Sequence, residues 1–163
     1  MKICFAFLLT FYSLALFAEP EIFLVDRVLV DKSERKMWLI HEDSRYREYE
    51  ISLGDNPIGH KQQEGDEKTP EGKYTIDYRN PNSSYHLSLH ITYPSAKDKG
   101  IAKKRGFSPG GDIFIHGLPN GMEALGFGFK NRDWTDGCIA VNNKEIEEIW
   151  SLVKNGTPIE ILP

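Results

Sequence analysis

The sequence WTDGCIAV, residues 134–141, places a cysteine directly after a glycine and in front of a short apolar run. Upstream, IFIHG at residues 113–117 is typical of a β-strand with a histidine at its tip, 22 positions before Cys138. A free thiol has a pKa of about 8.5, so a histidine partner raises its nucleophilic fraction and shuttles its proton. Gly137 removes side-chain bulk beside the thiol, which lets a carbonyl approach backbone N–H groups. The two stretches therefore predict a nucleophilic site of Cys138 and His116, against the alternative of an inert cysteine and a core histidine.

The number of cysteines in the mature protein depends on the first segment. Of residues 1–18, 15 are apolar, and the apolar run after Lys2 is shorter than the roughly 20 residues that a membrane-spanning helix needs. Ala18 precedes Glu19-Pro20, so we predict that residues 1–18 are a signal peptide that is removed; the alternative is an uncleaved anchor. Residues 19–163 then form a single exported domain of 145 residues that keeps one of the chain's two cysteines. A lone cysteine in an exported domain indicates a reactive thiol or an intermolecular pair.

Charge and motif spacing exclude several classes of protein. The formal net charge of −4 becomes −5 without Lys2, and the chain has no basic tail, so nucleic acid is not an expected partner. No metal is expected, because the closest histidine pair, His86 and His90, lies on a predicted strand about 13 Å apart. The glycines at 110–111 and at 126 and 128 lack phosphate-loop spacing and predict turns. No cofactor is therefore expected, while a hydrolase with two carboxylates stays open, since its acids need not be neighbours in sequence.

Short alternating runs separated by turn residues predict a mainly β domain. One helix is predicted to begin at Asn142 or Asn143, with an apolar face at positions 146, 149, 150 and 153 and Gly156 just beyond its end. We expect this helix, in the C-terminal half, to pack on the β structure. The predicted strands are 27–31 and 36–41, which form a hairpin, and then 46–53, 73–78, 85–93, 113–116 and 157–162.

The arrangement of motifs resembles the L,D-transpeptidase catalytic domain family, the YkuD-like domain of bacteria. The resemblance rests first on His116-Gly117 followed by Thr135-Asp136-Gly137-Cys138, which match a His-Gly and a Ser/Thr-x-Gly-Cys pattern. Further pieces match in order: Gly65-Asp66, Thr69-Pro70-Glu71-Gly72-Lys73-Tyr74, Tyr93-Pro94 and Gly111-Asp112-Ile113. The resemblance covers residues 26–163 and implies a β-sandwich or barrel with a cysteine transpeptidase site.

The resemblance also implies a reaction on peptidoglycan stem peptides in the periplasm or cell envelope. Cys138 would attack the carbonyl between the third residue of a tetrapeptide stem and its terminal D-alanine, which leaves an acyl-enzyme. An amine from another stem would then give a 3→3 crosslink, and water would give a tripeptide. His116 would act as general base, the N–H groups of Gly137 and Cys138 as oxyanion donors, and the Gly117 carbonyl as the group that orients the histidine ring.

Two departures from the family pattern leave the acceptor open. Ala140 stands where many members have arginine, and Asp136 stands where many have histidine. Arg132 and His90 are candidate substrate-binding residues that would take over contacts with the stem. The alternatives are an L,D-carboxypeptidase, which uses water as acceptor, and a non-catalytic protein that interacts with the cell wall. Expected partners are stem peptides and other envelope proteins, without a stable membrane anchor after signal cleavage.

Overall fold

The computed structural model of the protein describes residues 24–125, 129 and 132–163. The predicted signal peptide, 1–18, and the predicted turn at glycines 126 and 128 lie outside the described residues. Within the described ranges, no helix is both long enough and apolar enough to cross a membrane.

Eight strands, two α-helices and a short 3₁₀ helix make up the described fold. The helices are α1 (Ala96–Arg105), the 3₁₀ helix (Glu123–Leu125) and α2 (Asn143–Leu152). The strands are β1 (Arg27–Asp31), β2 (Lys36–His41), β3 (Ser44–Glu50), β4 (Gly72–Ser83), β5 (His86–Ile91), β6 (Phe114–His116), β7 (Ile139–Ala140) and β8 (Pro158–Leu162).

The strands form one sheet in the order β3-β2-β1-β8-β4-β5-β6-β7. Two neighbouring pairs, β1 with β8 and β6 with β7, are parallel, and the remaining pairs are antiparallel. The long strand β4 joins the two halves, because its residues 72–75 pair with β8 and its later residues pair with β5. The mainly β prediction is confirmed, and of the two predicted forms the sheet is open rather than a closed barrel.

The hydrophobic core draws on both halves of the sheet and on α2. Val28 of β1, Leu89 of β5 and Ile115 of β6 are fully buried, and Ile146 and Ile149 of α2 pack into the same cluster. In β1 the buried residues alternate with partly exposed ones, as expected for a strand with one face on the core. The predicted pair of Cys138 and His116 lies on the opposite face of the sheet.

The predicted C-terminal helix is present, and its start is defined by a capping box. The Asn142 side chain accepts a hydrogen bond from the Glu145 N–H, and the Glu145 carboxylate accepts one from the Asn142 N–H, each at 2.9 Å. These two bonds satisfy backbone donors that the first turn of a helix leaves unpaired. Asn142 is therefore the cap and Asn143 the first helical residue.

Helix α1 is a correction, because the sequence pattern predicted only one helix. Its sequence, AKDKGIAKKR, contains four lysines and an arginine and has no apolar stripe, so hydrophobic periodicity gives no signal. Local capping defines it instead: Ser95 and Asp98 form a capping box, and Gly106 ends the helix with a φ of 76°. The buried Asp98 carboxylate also accepts a hydrogen bond from the Tyr74 hydroxyl at 3.2 Å, which ties α1 to β4.

Strand β4 is also longer than the predicted run 73–78. Its second half contains Pro81, a residue type that is uncommon inside strands because it cannot donate to the ladder. The proline is tolerated because the pairing with β5 is irregular between Asn80 and Ser83, where residues of β4 bulge out of the ladder. The two-residue strand β7 was not predicted either, because it is too short for an alternating pattern.

Candidate active site

The pairing of β6 with β7 brings Cys138 and His116 to the same face of the sheet. In this parallel pair Ile115 lies opposite Ile139 and His116 opposite Ala140. Cys138, one residue before β7, lies level with Phe114, whose N–H donates a hydrogen bond to Sγ at 3.4 Å. Since side chains alternate along a strand, the two isoleucines enter the core and His116 and Cys138 share the opposite face.

His116 is buried and held in one tautomer. Its ring Nδ1 lies 2.7 Å from the Gly117 carbonyl oxygen, which can only accept, so Nδ1 carries the proton and Nε2 carries a lone pair. The ring is 4% exposed, and its centroid lies 4.5 Å from that of Tyr85 and 5.7 Å from that of Trp134. Burial lowers the pKa of His116 to about 4, and the bond to Gly117 opposes this shift only in part. The imidazole is therefore neutral at pH 7 and ready to accept a proton at Nε2.

Gly117 occupies a position with no room for a side chain. A Cβ there would lie 2.7 Å from Asn143 Oδ1, closer than real Cβ atoms approach, and 3.1 Å from the Tyr85 carbonyl oxygen, a tight contact. Its N–H donates to the Tyr85 and Leu87 carbonyls at 3.1 and 3.3 Å. The next N–H, that of Leu118, donates to Asn143 Oδ1 at 2.8 Å, which fixes the peptide whose carbonyl holds His116. The contact between Gly117 and His116 that the resemblance implies is thus present in the structure.

The Cys138 thiol rests in its neutral form. Burial raises the pKa of Cys138 to about 11; the Phe114 N–H lowers it and the charge of Asp136 raises it further. Besides the bond from Phe114, Sγ lies 3.7 Å from the Asp112 carbonyl oxygen. Among the described residues no hydrogen bond joins Sγ to the His116 ring, so the thiol must turn toward Nε2 before its proton can move.

Thr135 clamps the backbone at Gly137 and Cys138, a contact that the sequence analysis missed. Its buried side-chain hydroxyl accepts a hydrogen bond from the Gly137 N–H at 3.1 Å and donates one to the Cys138 carbonyl at 2.8 Å. The Gly137 N–H is therefore already bonded and does not point at a substrate. Of the two oxyanion donors expected from the resemblance, this leaves the Cys138 N–H.

Gly137 lies against the loop that precedes β4. It has a φ of 127°, which favours glycine, and a Cβ would lie 2.6 Å from the Lys68 carbonyl oxygen. The loop is itself anchored by the buried Lys32, whose ammonium donates to the Thr69 carbonyl at 3.0 Å and to Glu71 at 2.7 Å. The Thr69-to-Tyr74 motif found in the sequence thus supports the back of the nucleophile turn.

A second segment, residues 52–55, holds the nucleophile turn from the other side. Ser52 and Ala140 exchange backbone hydrogen bonds of 2.9 and 2.8 Å. Thr135 donates its N–H to the Leu53 carbonyl at 3.1 Å and accepts from the Asp55 N–H at 2.9 Å. The turn that carries Cys138 is therefore fixed by backbone bonds on both sides, as a preorganised nucleophile requires.

The structure places the two candidate substrate-binding residues in different surroundings. His90 pairs with Phe114 in the β5–β6 ladder, its ring lies 5.0 Å from the Phe114 ring, and its Nδ1 lies 2.6 Å from Asp77 Oδ1. Arg132 is exposed and lines a cavity of about 500 Å³ together with Trp134 and Ala140. His90 therefore shares the sheet face of Cys138, and Arg132 lines a cavity that is also lined by Trp134, a ring neighbour of His116.

The histidine pair considered for a metal site serves other contacts. His86 and His90 both lie on strand β5, as predicted. Their ring nitrogens bond to different carboxylates: His86 Nε2 lies 2.7 Å from Glu147 Oε1, while His90 bonds to Asp77. In the part of the chain that the structure describes, no group of three or more His, Cys, Asp or Glu side chains is placed to hold a metal ion.

Comparison with known proteins finds relatives over most of the chain. The protein is 30% identical over 107 residues to YafK of Escherichia coli (strain K12), provisionally named an L,D-transpeptidase; the match covers 64% of this chain and 36% of YafK. The structure of the helical cell shape determining protein Pgp2 from Campylobacter jejuni is 27% identical, with a TM-score of 0.63 over 88% of this chain and 51% of Pgp2. The chain thus spans about a third of the length of YafK and about half that of Pgp2.

A more distant structure shares the fold alone. It is the L,D-transpeptidase of Xylanimonas cellulosilytica, 14% identical, with a TM-score of 0.54 over 87% of this chain and 62% of that chain. The model of the L,D-transpeptidase catalytic domain, YkuD, matches residues 25–161, a range that includes every element from β1 to β7 and nearly all of β8. The chain therefore belongs to the L,D-transpeptidase catalytic domain family.

Proposed function

We propose that this protein is a cysteine L,D-transpeptidase that acts on the tetrapeptide stems of peptidoglycan. The observation that carries the proposal is the pairing of β6 with β7, which puts Cys138 on the same sheet face as His116. His116 is buried, neutral, and fixed through Nδ1 by Gly117, so that Nε2 is the free basic atom. A thiol that shares a sheet face with such a base, and that can turn toward it, is suited to nucleophilic acyl transfer.

In the first half of the reaction, Sγ of Cys138 gives its proton to His116 Nε2 and attacks the carbonyl carbon between the third residue and D-alanine. The carbonyl oxygen becomes an oxyanion that accepts a hydrogen bond from the Cys138 N–H. His116 then returns the proton to the departing nitrogen, the C–N bond breaks, and D-alanine leaves. The product is a thioester between Cys138 and the tripeptide stem.

In the second half, the amine of another stem attacks the thioester carbon while His116 takes its proton. The C–S bond breaks, Cys138 recovers its proton from His116, and a 3→3 crosslink is released. The neutral resting thiol limits side reactions with oxidants outside the cytoplasm, because only the thiolate is strongly nucleophilic. Charge separation is thus confined to the moment when a substrate carbonyl is in place.

An L,D-carboxypeptidase is the second candidate function. It is favoured by Ala140, which stands where many relatives carry arginine and supplies only a buried methyl group, 3% exposed, beside the nucleophile. Without a cation at that position, a second stem has one fewer contact, and water competes better for the acyl-enzyme. Both functions share the same thioester and differ only in its acceptor.

His90 and Arg132 complete the proposal as substrate-binding residues. His90 lies on the face of Cys138 and is oriented by Asp77, while Arg132 is exposed beside the cavity next to Trp134. An arginine at that position suits a carboxylate of an incoming stem. We assign His90 to the donor stem and Arg132 to the acceptor.

The proposed substrate places the protein in the cell envelope. Export would follow from residues 1–18 as a signal peptide, with residues 19–163 as the mature catalytic domain. Amino-terminal sequencing of the protein from a periplasmic extract tests this assignment. A first residue at or next to Glu19 supports it, and a chain that still begins at Met1 contradicts it.

The catalytic proposal is tested by incubating the purified protein with tetrapeptide muropeptides and analysing the products by mass spectrometry. We expect D-alanine release from the native protein and none from Cys138→Ala or His116→Gln. His86→Gln is the matched control, because His86 bonds to Glu147 outside the site and should keep full activity. Crosslinked dimers identify a transpeptidase and tripeptides alone a carboxypeptidase. No D-alanine release, with an active relative run in parallel, would point to a non-catalytic protein.

A further inference from the structure

A row of aromatic side chains crosses the sheet and ends at the nucleophile. The strand register places Tyr78 of β4 opposite His90 of β5, and His90 opposite Phe114 of β6. Cys138 lies level with Phe114, as the hydrogen bond from the Phe114 N–H to Sγ shows. Since neighbouring strands lie about 4.8 Å apart, the row runs about 14 Å from Tyr78 to Cys138.

The row is held rigid on the sheet. The bulge in β4 between Ile76 and Tyr78 brings Asp77 to the face of His90, where the carboxylate bonds to Nδ1 at 2.6 Å. The His90 ring in turn meets Phe114 edge to face, with centroids 5.0 Å apart. A substrate lying along the row would therefore meet side chains whose orientation is already set, which reduces the entropy lost on binding.

Tyr78 is the exposed end of the row. Its side chain is 53% exposed, although the row neighbours His90 and Phe114 are partly buried. An exposed aromatic ring presents a negative face that attracts the weakly positive C–H bonds of an apolar or sugar surface. Its phenol oxygen adds a polar atom for a hydroxyl or an amide.

The length of the row matches one particular substrate. The carbonyl that Cys138 attacks belongs to the third stem residue, and an extended peptide advances about 3.3 Å per residue. The first stem residue then lies roughly 7–10 Å from Sγ, over Phe114 and His90. The amino sugar to which that residue is attached falls at the far end, where Tyr78 lies.

We infer that the row of Tyr78, His90 and Phe114 is the binding strip for the donor stem and that Tyr78 stacks on the sugar that carries it. The inference rests on the proposed function and adds the glycan as a recognised part of the substrate. Phe114 contacts the stem beside the scissile bond, and the free Nε2 of His90 accepts a hydrogen bond from a stem amide. The preferred donor is consequently a glycopeptide rather than a free peptide.

The test compares D-alanine release from a disaccharide tetrapeptide with release from the same tetrapeptide without sugar. We expect the native protein to prefer the disaccharide substrate in kcat/KM. Tyr78→Ala should lower kcat/KM about tenfold for the disaccharide substrate and leave that for the free peptide within twofold, whereas Tyr78→Phe keeps the preference. Phe107→Ala is the control, since Phe107 is equally exposed, at 54%, but lies beyond the end of α1.

Three outcomes would overturn the strip: equal losses for both substrates, no loss in Tyr78→Ala, or no preference in the native protein. If the native protein releases no D-alanine from either substrate, the proposed function fails and the strip is then judged by binding alone. Titration of both ligands against Cys138→Ala and against the same variant with Tyr78→Ala gives that measurement. The strip is supported if Cys138→Ala binds the disaccharide ligand more tightly than the free peptide and the added Tyr78→Ala removes this difference. Equal affinities of Cys138→Ala for the two ligands reject it.

Discussion

Replacing Thr135 by valine should loosen the turn that carries the nucleophile. The valine keeps the shape of the side chain but loses the hydroxyl that accepts from the Gly137 N–H and donates to the Cys138 carbonyl. Each of these bonds contributes about 0.5–1.5 kcal/mol, and a buried N–H left without a partner costs about 1–3 kcal/mol more. We therefore expect the free energy of unfolding to fall by roughly 2–4 kcal/mol.

The serine variant separates the hydroxyl from the bulk of the side chain. Thr135→Ser keeps both hydrogen bonds and loses one buried methyl group, which costs about 1 kcal/mol. The rate of D-alanine release should also fall more in the valine variant than in the serine variant, because displacing a reacting group by about 1 Å can lower the rate on the order of 100-fold. Thr135→Val should therefore lose about two orders of magnitude in D-alanine release and Thr135→Ser less than fivefold.

Urea unfolding monitored by tryptophan fluorescence gives the stabilities, and the muropeptide assay gives the rates. Both variants are to be compared with the native protein under the same conditions. Equal stability and equal rates for the valine and serine variants would refute the clamp. A slow valine variant of native stability would confine the role of Thr135 to catalysis.

Three further predictions concern the two reactive side chains and their support. The folded pKa of His116 is about 4, below its usual value of about 6.5, so the unfolded chain binds the extra proton and stability falls as the pH drops from 6.5 to 4. This loss amounts to about 3 kcal/mol, and the His116→Gln variant should lack it. Urea unfolding of both proteins at several pH values measures the difference. If the free energy of unfolding falls with pH equally in both proteins, His116 is not a buried neutral ring. Cys138, with its pKa raised to about 11, should react with iodoacetamide at pH 7 at least about tenfold more slowly than free cysteine, and a rate equal to that of free cysteine would show that burial does not raise the pKa of the thiol. Gly117→Ala should clash with Asn143 and displace the carbonyl that holds His116, so we expect about 100-fold slower D-alanine release; native rates would show that the peptide can shift freely.

The β structure was predictable because one face of each strand packs on the core. Alternation in residues 27–31 and 36–41 predicted β1 and β2 with their observed bounds. Hydrophobic periodicity gives no prediction for an element that has no apolar face on the core. Helix α1 has its lysines in solvent and is defined by Ser95 and Asp98, a local pattern that a search for capping boxes would have found.

For the site, the sequence predicted a reactive pair but not the groups around it. Cys138 and His116 were identified from their chemistry and from the glycine beside each. The clamp by Thr135 and the position of Tyr78 depend on strand register and loop packing, which only the fold provides. Gly137 shows the difference well: the family resemblance implied that its N–H is an oxyanion donor, whereas the fold directs this N–H to the Thr135 hydroxyl.

Strand β8 has a consequence for how the protein folds. It follows all the other strands in sequence yet lies between β1 and β4, pairing Val28 with Ile159 on one side and Tyr74 with Ile159 on the other. In the order of the described strands, the hairpin of β1 and β2 is therefore joined to β4 only through residues 158–162, while the segment after β3 meets β7 through the Ser52–Ala140 pair. Such non-local pairing slows folding and leaves strand edges exposed in the meantime. Until residues 158–162 are in place, the facing edges of β1 and β4 are therefore open to pairing with other strands.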